Sequence, residues 1–430
     1  MPTVKSFSKG GILVDSFRSL TVETLIQPLF LPSLAVVPLA QYPGARAQWI
    51  VEAGESVAED QVLARGLEPG DLPVHSPIPG RILEFREVTL PGGGVTSAAL
   101  IRLEGAFCRT GRPPLKKDWA LIDDQELWER IRNAGIYLTS SSLDPRKSLE
   151  QAPEVVDALV INGLQPEPYL TLSLHLQKER PEDLAEGIRI LQKLLRPGRT
   201  DFVADPDHPD LWTRIFGPLL QGVGLHALDF KYPQAQEGLL LKTIGIPLSG
   251  DRRSRFVVLD AASVLAIRDA VVEAKPQVEV TVVVTGRGVV HPGAYRVRIG
   301  TPLAQLLKDA GGLVPGDHKI LIGGPFQGKQ VEHLSTPVLK STQAVLVLAK
   351  TEVNEAPERS CIRCGLCVEA CPVGLEPLNL HQALSLGHQD LARHEGLDFC
   401  IECGICSFVC PSRVPLLAEF QTAKERHHGL

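Results

Sequence analysis

Eight of the nine cysteines in this 430-residue chain fall in two matching runs near the C-terminus. The first reads Cys361-Ile-Arg-Cys364-Gly-Leu-Cys367-Val-Glu-Ala-Cys371-Pro, and the second Cys400-Ile-Glu-Cys403-Gly-Ile-Cys406-Ser-Phe-Val-Cys410-Pro. Three thiolates separated by two residues can cap three corners of one iron–sulfur cube. A fourth Cys, followed by Pro, ligates the other cube. The spacing therefore points to one 4Fe–4S cluster on Cys361, Cys364, Cys367 and Cys410, and a second on Cys400, Cys403, Cys406 and Cys371. Gly365, Gly404 and Ser407 are small enough for the backbone to approach the sulfides and donate N–H bonds, which tune the reduction potential.

Other cysteine chemistries fit the pattern poorly. Zinc sites use Cys-x-x-Cys pairs, but not a doubled run of four ending in Cys-Pro. Disulfide frameworks belong to small secreted chains, whereas this chain is long and its thiols are bunched at one end. Cys108 stands alone and reads as a small, partly buried side chain.

The composition is that of a globular protein, with 44% apolar and 22% charged residues. A net charge of −6 argues against a nucleic-acid partner, which would want a basic face. The start, Met1 to Gly10, lacks the apolar core of a signal peptide. No stretch approaches the ~18 apolar residues of a membrane span. Thiolate clusters call for a reducing compartment, so the cytoplasm is expected.

Four segments are expected. Residues 1–115 hold a strand-rich module, punctuated by Gly54 and by Ser76-Pro77-Ile-Pro-Gly80, that resembles the barrel-sandwich fold of lipoyl carriers. The stretch Arg65 to Pro73 has no lysine to acylate, so the scaffold carries nothing, and His75 reads as a loop or core histidine. Residues 116–275 alternate helix and strand, which implies a largely parallel, Rossmann-like sheet. Helices are expected over Asp123–Ala134, Pro181–Leu195 and Ala261–Val272, with buried strands at Val155–Ile161 and Phe256–Leu259. Residues 276–350 read as a small β-grasp module, with strands at Val278–Val284, Lys319–Ile322 and Ala344–Leu348. Residues 351–430 suit an α-helical ferredoxin domain with two clusters. The fold class is thus multidomain, α/β plus β.

The order of modules resembles the C subunit of the Rnf electron-transport complex over essentially the whole chain. The matching residues include Gly10-Gly11-Ile12, Leu72-Pro73-Val74-His75-Ser76-Pro77, Val160-Ile161-Asn162-Gly163, Glu167-Pro168-Tyr169 and Lys231-Tyr232-Pro233-Gln234. They continue through His291-Pro292-Gly293, Ile299-Gly300-Thr301-Pro302, Gly323-Gly324-Pro325 and the tandem cysteine runs. The resemblance implies an SLBB-type β-grasp domain and an α/β domain similar to the flavoprotein subunit of respiratory NADH dehydrogenase. It also implies FMN and NADH in that α/β domain, with electrons passing to the clusters and then to integral membrane subunits that move Na⁺ or H⁺.

This sequence departs from the family at the flavin loop. Where family members carry a run like Gly-Leu-Gly-Gly-Ala-Gly-Phe-Pro, it has Tyr137-Leu138-Thr139-Ser140-Ser141-Ser142-Leu143-Asp144-Pro145. The side chains of Leu138 and Leu143 take space that bare backbone must vacate, and glycine-specific dihedrals are lost. Ser140 and Ser141 could still bind an anion, although a serine-rich loop is more often solvated. The family's Glu-Cys-Glu-Pro becomes Gln165-Pro166-Glu167-Pro168, which keeps one carboxylate and removes a backbone donor. FMN is therefore not expected, and no catalytic residues are assigned.

The expected role is an electron relay docked peripherally on the cytoplasmic side of a membrane complex, with a ferredoxin, flavodoxin or cytochrome as redox partner. Two alternatives stay open: a flavin NAD(P)H dehydrogenase or cobalamin-reductase-like enzyme, and a ligand-binding or sensing iron–sulfur protein. The opposite charges of Arg363 and Glu402, each beside a ligand, are expected to bias the two potentials apart.

Overall fold

The computed structural model describes residues 3–42, 45–68, 71–105, 118–138, 155–208, 218–246, 255–353 and 356–428. Ser140, Ser141, Leu143 and Cys108 lie outside the described residues.

Apolar, β-branched runs in the middle of the chain form a five-stranded parallel sheet. Its order is Val4–Lys5, Gly224–Leu228, Arg199–Ala204, Ala158–Asn162 and Phe256–Asp260. Successive side chains of Ala158–Asn162 enter different cores. Leu159 and Ile161 pack with Leu184, Ile188, Val264 and Ile267, while Ala158 and Val160 pack with Leu240, Leu241 and Ile244. Both faces are covered, as a parallel sheet requires. The helix Pro181–Leu195 starts on Pro181 with Glu182 and Asp183 in its first turn, and buries Leu184, Ile188, Leu191 and Leu195. Asp260 caps the helix Ala261–Glu273 by accepting from the Ser263 N–H at 2.8 Å.

A six-stranded mixed sheet follows, in the order Lys329–Gln330, His318–Ile322, Ala344–Ala349, Glu279–Thr285, Gly293–Arg298 and Ile26–Pro28. The helix Leu303–Asp309 lays Leu303, Leu306 and Leu307 on it, against Val282, Val284 and Tyr295. Pro302 precedes that helix as its N-cap and is not within the first turn.

Two smaller antiparallel sheets make a sandwich. One is Leu34–Pro38, Val95–Leu103, Gly80–Thr89 and Ser56–Val57; the other is Ala47–Trp49, Val62–Gly66 and Val74–His75. Ala35, Val37, Leu63, Ile78, Ile82 and Ile101 fill the space between them. His75 is buried, and burial with nearby Lys340 pushes its pKa down to about 3.

The N-terminal segment stitches these bodies together. Val4–Lys5 extends the parallel sheet, with Val4 opposite Ala227, and Ile26–Pro28 extends the mixed sheet, with Ile26 opposite Ala294. Lys340 is a second tie. Its buried Nζ donates to the carbonyls of Pro73 (3.2 Å) and Gly135 (2.5 Å), in two other domains.

Helices and the loops between them make up residues 356–428. The helices Pro377–Ser385, Gln389–His394 and Leu416–His428 close around Leu380, Ala383, Ala392, Leu397, Val414 and Phe420. Cys367, Cys400, Cys406 and Cys410 pack against this core.

Candidate metal centre

The two cysteine runs fold into the same local shape. Each starts as an extended loop, passes through two left-handed residues, and enters a short helix. In the first run these are Arg363 (φ 54°) and Gly365 (φ 80°), leading into Leu366–Ala370. In the second they are Glu402 (φ 53°) and Gly404 (φ 77°), leading into Ile405–Phe408. This winding turns successive N–H groups toward the thiols. The Arg363 N–H donates to Cys361 Sγ at 3.4 Å, and the Leu375 N–H donates to Cys371 Sγ at 3.3 Å. The backbone at Val368, Glu402, Ile405 and Ser407 does the same for Cys367, Cys400, Cys403 and Cys406.

The thiols gather in two sets, and each set draws on both runs. Cys361, Cys364, Cys367 and Cys410 line one cleft, with Leu378, His381, Val414 and Leu416. Cys371, Cys400, Cys403 and Cys406 line the other, with Leu375, Ile405, Leu417 and Phe420. The first set is more open: Cys361 and Cys364 are exposed, whereas Cys371 and Cys403 are buried. Burial and neighbouring thiols push Cys403 and Cys406 up to about 12. Among the described residues, no three His, Cys, Asp or Glu side chains close on a point that a single metal ion would fill. An all-sulfur set of four in an apolar cleft is the donor chemistry of an iron–sulfur cube.

Other domains wall in the second set. The Tyr232 hydroxyl donates to the Cys403 carbonyl at 2.6 Å, and its ring stacks on Phe326 at 4.2 Å. Phe326 in turn meets the edge of Phe408 at 5.0 Å. From the N-terminal segment, the Gly11 N–H donates to the Ala370 carbonyl at 2.9 Å. Gly10 (φ 61°) passes so close that an added Cβ would lie 2.4 Å from the Cys371 carbonyl oxygen.

The expected opposition of Arg363 and Glu402 needs correction. Glu402 does not present a bare carboxylate: Lys424 Nζ lies 2.9 Å from its Oε1, and Gln421 Nε2 lies 3.2 Å from Oε2. The same ammonium donates to the Cys400 carbonyl at 2.6 Å. The paired charges largely cancel, so the residue type at this position does not set the local field by itself.

Residues 6–106 match the RnfC barrel sandwich hybrid domain, 281–328 the SLBB domain, and 352–411 the 4Fe-4S dicluster domain. The chain is 33% identical over 437 residues to the C subunit of the ion-translocating oxidoreductase complex of Rhodobacter capsulatus, covering 98% of this chain and 83% of that protein. It belongs to this C-subunit family. The protein of the same name from Haemophilus influenzae is 32% identical, with 97% of this chain and 52% of that protein covered. The C subunit of the proton-translocating ferredoxin:NAD(+) oxidoreductase complex of Clostridium ljungdahlii is 28% identical, with coverages of 90% and 86%. Among solved structures, an NAD+-reducing [NiFe]-hydrogenase aligns over 74% of this chain and 55% of its own, at 16% identity and a TM-score of 0.47. The cofactors of the dicluster domain are two 4Fe–4S clusters.

The other candidate region lies at the carboxyl ends of the parallel strands. Ligands of parallel sheets sit beyond the carboxyl ends of the strands. There, Arg18 pairs with Asp205 in a buried contact and lies 4.1 Å above the Phe230 ring. Leu138 and Gln165 are buried. Glu167, singled out as the surviving carboxylate, is also buried, and its Oε2 accepts from the Phe326 N–H (2.7 Å) and the Gln327 N–H (3.2 Å). It grips the 323–328 turn so closely that a Cβ on Gly324 would meet Oε2 at 2.5 Å. Glu167 serves here as an interdomain clasp, and the burial that raises its pKa is partly offset by those two donors. A cavity of about 520 Å³ beside the helix Ala261–Glu273 is lined in part by Tyr137, the first residue of the altered loop. Two of its charged pairs are matched, Arg180 to Asp269 at 2.6 Å and Lys275 to Glu279 in close contact, and Arg296 and Lys340 also line it.

Tyr232, Phe326 and Gln327 receive no role from the sequence. Tyr232 and Phe326 fall in or beside short family-like motifs, which is the available signal.

Proposed function

We propose that this chain is the electron-transfer subunit of a membrane-bound, ion-translocating oxidoreductase of the Rnf type, with electrons carried by its two 4Fe–4S clusters. The observation that carries this reading is the gathering of eight thiols into two sets of four, each crossing both runs. Cys361, Cys364, Cys367 and Cys410 would hold one cluster; Cys400, Cys403, Cys406 and Cys371 the other. When bound, each cube gains or loses one electron at a potential set by charge, hydrogen bonds and exposure. The chain's own part is to fix the thiols on two rigid turns, aim backbone N–H groups at the sulfurs, and bury the second set between domains.

An NADH or FMN step is not part of this reading. The missing glycines, the Arg18–Asp205 pair and the commitment of Glu167 support this reading. The electrons would instead be exchanged with a ferredoxin, a flavodoxin or a cytochrome.

The partners would be the integral membrane subunits of the complex, with this chain on their cytoplasmic face. Among the described residues no helix is long and apolar enough to cross a membrane. A net charge of −6 would be repelled by an anionic leaflet, so the contact is expected to be with protein. Membrane fractionation tests this: the chain is expected in the membrane fraction when those subunits are present, and released by high salt or mild alkali. Residence in the soluble fraction with all subunits present would overturn the assignment.

A further inference from the structure

The two cysteine loops share one backbone shape but differ in what touches their carbonyls. In the second loop, three side chains donate from outside it. Lys424 Nζ reaches the Cys400 carbonyl at 2.6 Å, Gln327 Nε2 the Glu402 carbonyl at 3.1 Å, and the Tyr232 hydroxyl the Cys403 carbonyl at 2.6 Å. Among the described residues, no side-chain donor is seen on the matching carbonyls of Cys361 to Cys364. Lys424 belongs to the cluster domain's own helix. Gln327 comes from the turn after His318–Ile322 in the mixed sheet, and Tyr232 from beyond the strand Gly224–Leu228 of the parallel sheet.

We propose that Tyr232 and Gln327 are positioning residues that raise the reduction potential of the second cluster from two neighbouring domains. This rests on the ligand assignment given above. A carbonyl oxygen beside a cluster places negative density where the added electron must go. A donor on that oxygen withdraws some of it; the effect is weakly screened at the buried Tyr232–Cys403 bond and more strongly at the exposed Gln327–Glu402 bond. Hydrogen bonding around the cysteines is an established lever on such potentials. Tyr232 is 2% exposed, so water cannot replace its hydroxyl once it is removed.

Glu167 acts one step further back. By accepting from the N–H groups of Phe326 and Gln327, it holds the turn that presents the Gln327 amide to Glu402 and the Phe326 ring to Tyr232. The potential of the second cluster is thus tied to the docking of the parallel sheet and the mixed sheet on the cluster domain. A shift in that docking would change the driving force between the clusters without moving a ligand.

The test is an anaerobic EPR redox titration, with iron counts, of the full chain and of Tyr232→Phe, Gln327→Ala and the double variant. Tyr232→Phe keeps the stacked ring, and Gln327 is exposed, so both proteins are expected to retain about eight irons. The cluster whose signal changes in Cys403→Ser is the second one. At a fixed potential its reduced-to-oxidised ratio is expected to fall about threefold in Tyr232→Phe, roughly 28 mV at 59 mV per tenfold change for one electron, and by less in Gln327→Ala, whose bond is exposed. The double variant should fall by the product of the two single changes if the two bonds act independently. The first cluster should not move. Eight irons with both potentials unchanged, or with both shifted alike, would overturn the inference and leave the ligand assignment standing. A parent protein with one cluster would instead remove its basis. Loss of iron in Tyr232→Phe would leave the decision to Gln327→Ala, whose bond lies at the surface.

Discussion

Cys371→Ser is expected to strip about four of about eight irons and to abolish the signal of the cluster held by Cys400, Cys403 and Cys406. The serine lies in the first run, yet the damage should fall on the second. Cys371 follows the helix Leu366–Ala370, is buried, takes the Leu375 N–H at 3.3 Å, and lines the cleft of the second set. Cys410→Ser should do the reverse, because Cys410 lines the cleft of Cys361, Cys364 and Cys367. Iron analysis with EPR of each variant separates the possibilities. If each run lost only its own cluster, the crossed arrangement would be wrong.

Acid should destabilise the folded chain well before its carboxylates protonate. His75 and His175 are buried, and burial is the main cause that lowers them to about 3 and about 4, with Lys340 and Lys178 adding repulsion. Their ordinary value is 6.5. Below that pH the unfolded chain binds protons that the folded chain refuses, so stability present above 6.5 is lost as pH falls. Between pH 7.5 and 5 each histidine should remove about 2 kcal/mol. Urea melts at the two pH values should show it, and His75→Leu should shrink the loss by about 2 kcal/mol. Cluster loss in acid is common to both proteins and cancels in the comparison. An unchanged pH dependence in the variant would contradict the buried neutral histidine.

What the sequence makes legible is local. The cysteine runs announce themselves because a cube fixes the spacing of its first three ligands within seven residues. The helix Pro181–Leu195 and the strands Ala344–Ala349 and Phe256–Asp260 are visible because their burial follows a period or an unbroken apolar run. What stays hidden is non-local. Val4–Lys5 and Ile26–Pro28 are two and three residues long, too short to show a period, and they become strands only because distant edges accept them. Lys340 carries no local signal, and its role comes from two carbonyls of other domains. Tyr232 and Cys403 are 171 residues apart, so nothing near either one announces their bond. Glu167 is visible as a carboxylate in a family-like motif, but its partners, 159 and 160 residues away, give it a structural use.

The most direct test of the electron-relay reading is the iron and flavin content of the protein purified without oxygen. About eight irons, two EPR-active clusters and no stoichiometric flavin are expected, with no bleaching of the clusters by NADH. One FMN per chain, or clusters that NADH reduces, would show that the flavin side works and that the chain is a dehydrogenase in its own right.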